Sequence, residues 1–141
     1  MSVFLTLKDI EKICFVYANQ ILSFNEPIPD FNTRYPEKLE AVLAMPQCSF
    51  DGIYVYNTIE LQAAVLFYEI IKQHPFFNGN KRIGCVSLMT FLALNEKWLS
   101  VEWKDLYLIA KFVAKSETKR RKTVLRKLEK YITSNLIENS A

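Results

Sequence analysis

The chain is poor in glycine, histidine and cysteine: three, one and three in 141 residues. Few glycines leave few positions for left-handed turns. With half of the residues hydrophobic, a compact and mainly helical chain is expected. Cys14, Cys48 and Cys85 are odd in number and have no CxxC spacing, so neither a disulfide framework nor a zinc site is suggested. Reduced thiols in a cytoplasmic protein are the expectation. Long apolar runs are missing as well. The longest, residues 86–94, is interrupted by Ser87 and Thr90 and falls short of the roughly 20 residues that span a membrane. The opening MSVFLTLKDIEK meets acidic residues too soon for a secretory signal. The length suits a single domain, 1–141, with one buried core.

Charge is unevenly spread. Residues 115–130 hold eight Lys or Arg and two Glu, a local +6, so with a net +3 the remainder carries −3. Such a run is either a solvated helix face or a surface for nucleic acid or an acidic partner. No aromatic platform or nucleic-acid motif accompanies it, and the solvated face is preferred.

The spacing predicts an all-α protein with one small β excursion. Thr6, with Asp9 three residues on, caps a helix running through Ile10, Ile13, Cys14, Tyr17 and Ile21. A turn at residues 27–30 ends it. Pro36 opens a second helix with Leu39, Val42 and Leu43 inward, closed by Met45-Pro46. Asp51-Gly52, followed by β-branched and aromatic residues, predicts a short hairpin. Asn57 or Thr58 then caps an apolar helix through Gln73, and another runs from Asn80 to about Leu94, stopped at Asn95. So little polar surface marks the two as central. Two further helices are expected over residues 102–114 and 118–137.

Between the central helices stands HPFFNGNKR, residues 74–82. The second helix begins with unpaired backbone N–H groups and a positive dipole end, a ready anion site. Gly79 removes the side chain that would keep a phosphate from the backbone. Lys81 and Arg82 fall in the first turn, where cations oppose the dipole, and a bound polyanion reverses that sign. Arginine grips phosphate with a fork of donors and lysine acts as a point charge. His74, the lone histidine, ends the preceding helix, placed to take a proton from an attacking hydroxyl. Its alternative reading is a helix cap beside a surface loop.

The run resembles the Fic/Doc signature H-P-F-x-[D/E]-G-N-G-R, and more closely its death-on-curing (Doc) branch, which has lysine before the arginine. Residues 43–52, LAMPQCSFDG, with Tyr56-Asn-Thr58, are similar to the Doc-type segment before the central helix, and Phe91-Leu-Ala-Leu-Asn95 to the one after it. The resemblance implies a Fic/Doc-type helical bundle with a β-hairpin flap, and transfer of a phosphate-containing group from ATP to a protein hydroxyl. That is AMP transfer in most Fic enzymes and γ-phosphoryl transfer in Doc toxins. It implies His74 as base, Gly79, Asn80, Lys81 and Arg82 on the phosphates, and Phe76 anchoring the loop in the core. The flap, with Phe50, Gly52 and Tyr54, would pin the target, a translation factor or another protein, as an added strand. A separate antitoxin would restrain the enzyme. No membrane partner is expected. Two positions depart from the pattern. Asn78 replaces the acid that binds Mg²⁺, so a weaker metal site is expected. Cys85 replaces a second arginine of AMP-transferring members, which favours the Doc chemistry. Finally, Ser134, Glu138 and Asn139 fit [S/T]-x-x-x-E-[G/N], in many Fic proteins an inhibitory helix, or else simply end the last helix.

Overall fold

The computed structural model describes residues 2–21 and 28–137. Helix α1 is built from three consecutive segments, Leu7–Asp9, Ile10–Phe15 and Val16–Ala18, the middle one wound as a π-helix. Its start is the expected capping box: Thr6 Oγ1 accepts from Asp9 N–H at 3.2 Å while Asp9 returns a carboxylate oxygen to Thr6 N–H at 2.8 Å. The helix stops at Ala18 rather than near Ile21. Asn19 explains this, since its amide donates to Phe15 O and accepts from Ile28 N–H, drawing the chain out of the helix. Part of the expected turn at residues 27–30 lies outside the described residues. Asp30 then begins a 3₁₀ turn, Phe31–Thr33.

Helix α2, Pro36–Ala44, has Pro36 in its first turn, buries Leu39 and Val42, and passes into a 3₁₀ turn at Met45–Gln47. The hairpin comes next. Strands β1, Ser49–Phe50, and β2, Ile53–Tyr54, pair Ser49 with Tyr54 and Phe50 with Ile53. Asp51 and Gly52 have φ of 54° and 78°, the left-handed pair that a tight two-residue turn requires.

Helices α3, Ile59–Gln73, and α4, Asn80–Leu94, are the centre of the bundle. Thr58 caps α3 through Leu61 N–H. From Gln62 to Ile71 every residue of α3 is buried. This helix packs against α4, α2 and two later helices, α5, Trp103–Lys115, and α6, Arg121–Ser134. One hydrophobic cluster runs through all of them. The all-α expectation with a small β excursion therefore holds.

The last helix needs correction. A helix was expected over 118–137, yet α6 ends at Ser134 and Leu136–Ile137 form strand β4, antiparallel to β3, Trp98–Leu99. Asn135 turns the chain: its backbone carbonyl accepts from Ser100 N–H at 2.7 Å. Among the described residues, no helix is long and apolar enough to cross a membrane.

Candidate active site

Helix α3 is closed by a residue in a conformation that its type disfavours. His74 is the C-terminal cap at φ 52°, ψ 59°, a left-handed position at which a helix usually carries glycine. A non-glycine residue there costs about 1 kcal/mol. The bundle holds it by pinning the next two residues. Pro75 O accepts from Tyr35 N–H at 2.8 Å. Phe76, buried as expected, sits against Phe15 and Phe31, ring centres 5.9 Å from both. Phe77 points the other way and is exposed.

Asn80 ties the turn into a unit. Its side-chain oxygen accepts from Phe76 N–H at 3.0 Å and its amide donates to Phe76 O at 2.9 Å. The same amide nitrogen lies 3.4 Å from His74 Nδ1, long enough to orient the ring without fixing its tautomer. Asn80 is thus first a brace for the loop, which its place in a phosphate motif did not suggest.

Gly79 caps α4 at φ 81°, and no side chain caps that helix. A Cβ here would lie 2.6 Å from Ile28 Cγ1. Packing as well as phosphate access therefore demands glycine. Lys81 is half-buried and Arg82 buried, both in a first turn that carries no acid of its own.

These residues share one cleft of about 460 Å³, lined by His74, Phe77, Asn78, Gly79, Asn80, Lys81 and Arg82 from the turn and α4. Ile71 completes one wall; Tyr107 and Ala114 of α5 form another. The two α5 residues were not legible beforehand, because nothing local marks a helix some 30 residues downstream as facing the turn. Lys111 Nζ stands 5.4 Å over the Tyr107 ring, close enough for a cation–π contact. Cys85, one turn into α4, is fully buried, and burial alone pushes its thiol far up.

The flap residues are placed apart from this lining. Phe50 is 80% exposed at the hairpin, whereas Tyr54 packs edge-on against Phe4, ring centres 5.7 Å apart. Gly52 forms the hairpin turn. Each hairpin strand pairs only with the other among the described residues, leaving an outer edge. Ser134 ends α6 and is followed by β4; Glu138 and Asn139 lie outside the described residues.

Sequence reading also missed a half-buried ion pair. Arg121, part of the basic run, turns inward and donates from Nε to Glu69 Oε1 at 3.0 Å and from Nη2 to Tyr56 OH at 3.1 Å. Glu69 accepts from Gln73 as well, at 3.1 Å. The run is consequently not a uniform solvated face.

The donor set does not fit a divalent cation. Asn78 Oδ1 accepts from Gly79 N–H at 2.8 Å, and among the described residues no acid lines the cleft. Mg²⁺ prefers carboxylate oxygens, and the described residues bring no three His, Cys, Asp or Glu together as a metal site.

An all-α bundle with a histidine turn and a cationic helix N-terminus between its central helices is the class that fold and cleft define. The model of the Fic/DOC family matches residues 4–92, more than half of the chain, and the chain belongs to that family. It is also similar to "Toxin Doc" of Mycolicibacterium smegmatis, 31% identical over 65 residues, which cover 46% of this chain and 50% of that protein. The match thus spans about half the length of this curated relative. No solved structure matches the chain.

Proposed function

We propose that the chain is a nucleotide-dependent transferase that modifies a protein hydroxyl, with Doc-like phosphoryl transfer from ATP as its reaction. The observation that carries this is the shared cleft: His74 and every residue from Asn78 to Arg82 line it together. His74 takes the proton of the acceptor hydroxyl. The freed oxygen bonds to the γ-phosphorus, the bond from that phosphorus to the β,γ-bridging oxygen breaks, and ADP leaves. Lys81, Arg82 and the backbone at the start of α4 hold the negative phosphates. Such electrostatic holding is most of what phosphoryl transfer asks of a protein. AMP transfer is the alternative. Cys85, buried and uncharged where AMP-transferring members carry a second arginine, favours the γ-phosphate.

The acceptor is a protein, a translation factor or another, held along the free edge of the β1–β2 hairpin near Phe50, Gly52 and Tyr54. The Doc-toxin relative supports a toxin restrained by an antitoxin. Restraint by the Ser134 and Glu138 segment is the other form of control, and unchanged activity in Glu138→Gly would remove it. The fit of Asn78 favours a second reading, a protein that binds nucleotide without turnover.

Label transfer decides among these. Protein is incubated with bacterial lysate and ATP labelled at the α- or the γ-phosphate, beside His74→Ala. Label on a protein band from the γ-position alone, lost in the variant, is expected. Label from the α-position means AMP transfer. No label from either leaves the binding protein.

A further inference from the structure

At the turn before α4, the family pattern and the chemistry of this chain part company. The acid of the pattern serves as metal ligand, yet the Asn78 oxygen is directed back at Gly79 N–H, 2.8 Å away. The amide thus stiffens the turn itself. The acid nearest in sequence is committed too: Glu69, one turn before Gln73 in α3, accepts from Arg121 and from Gln73 and is buried. What the cleft supplies is positive charge, Lys81 and Arg82, at the positive end of a helix that has no acid in its first turn.

We infer that this site takes the polyphosphate as the free anion, with Lys81 and Arg82 neutralising charge that a bound divalent cation would otherwise cover. The inference rests on the nucleotide reading above. Its consequence is an inverted metal dependence. Mg²⁺ bound to ATP masks two of its negative charges and brings a hydration shell to which none of the described lining residues offers a carboxylate, so it weakens the attraction to both side chains.

The test is calorimetric titration of the full chain with ATP, in Mg²⁺ and in EDTA, together with Asn78→Asp. Melting curves of the variant confirm that it folds. The wild type is expected to bind ATP more tightly in EDTA than in Mg²⁺, and Asn78→Asp to bind about tenfold more tightly in Mg²⁺ than in EDTA. A wild type that binds equally or more tightly in Mg²⁺ overturns the inference and leaves the nucleotide site standing. Absence of binding by either protein in both buffers overturns the nucleotide site itself.

Discussion

The two central helices are each 15 residues long, lie side by side in one core, and begin in opposite ways. Helix α3 obeys every rule of a stable start. Thr58 accepts from Leu61 N–H at 3.0 Å and gives its hydroxyl proton to Glu129 at 2.8 Å. Glu60 lies in the first turn and pairs with Lys97 at 2.9 Å. Helix α4 has a glycine in place of a capping side chain, two cations in place of acids, and a strained histidine five residues before its cap. A start that favours folding and one that favours an anion are electrostatic opposites. The contrast therefore separates what holds this bundle together from what it is built to bind.

Gly79→Ala gives the largest expected effect. Left-handed strain and the contact with Ile28 together cost about 2–4 kcal/mol, read as a lowered denaturation midpoint. Measured against Ile28→Ala alone, which itself loses a buried core side chain, adding Gly79→Ala should cost only the left-handed strain. Thr58→Ala removes a cap that serves the fold alone. A loss of about 1 kcal/mol is expected, with ATP affinity unchanged; a drop in affinity would blur the distinction between the two helix starts. His74→Gly works in the reverse direction, relieving the left-handed residue and raising stability by about 1 kcal/mol. Label transfer should fall by about 10²–10⁴ in the same variant if His74 is the base. The smallest change is Lys81→Glu: an acid in the first turn stabilises α4 by about 0.5 kcal/mol at low salt, while ATP binding weakens.

Features set by neighbours in sequence were legible. Thr58 and the apolar period placed α3, Asp51-Gly52 placed the hairpin turn, and the crowding of His74, Gly79, Lys81 and Arg82 marked the loop that becomes one wall of the cleft. Features set at a distance were not. The pairing of Trp98–Leu99 with Leu136–Ile137 joins two-residue strands, too short to carry a periodic signal. Arg121 reads as one more cation of a basic helix, and only the approach of α6 to α3 gives it Glu69. Tyr107 and Ala114 reach the cleft through the packing of α5 on the central helices. Gly79 was read for its openness to phosphate, while its contact with Ile28 depends on where the chain returns from α1.

The central claim is that the start of α4, and not that of α3, receives a phosphate anion. The most direct test tracks backbone amide resonances by NMR as ATP is added. The account predicts shifts at Gly79, Asn80, Lys81 and Arg82 with Glu60, Leu61 and Gln62 unmoved. Shifts confined to the basic helix around Lys122 and Lys127, or equal at both helix starts, would contradict it.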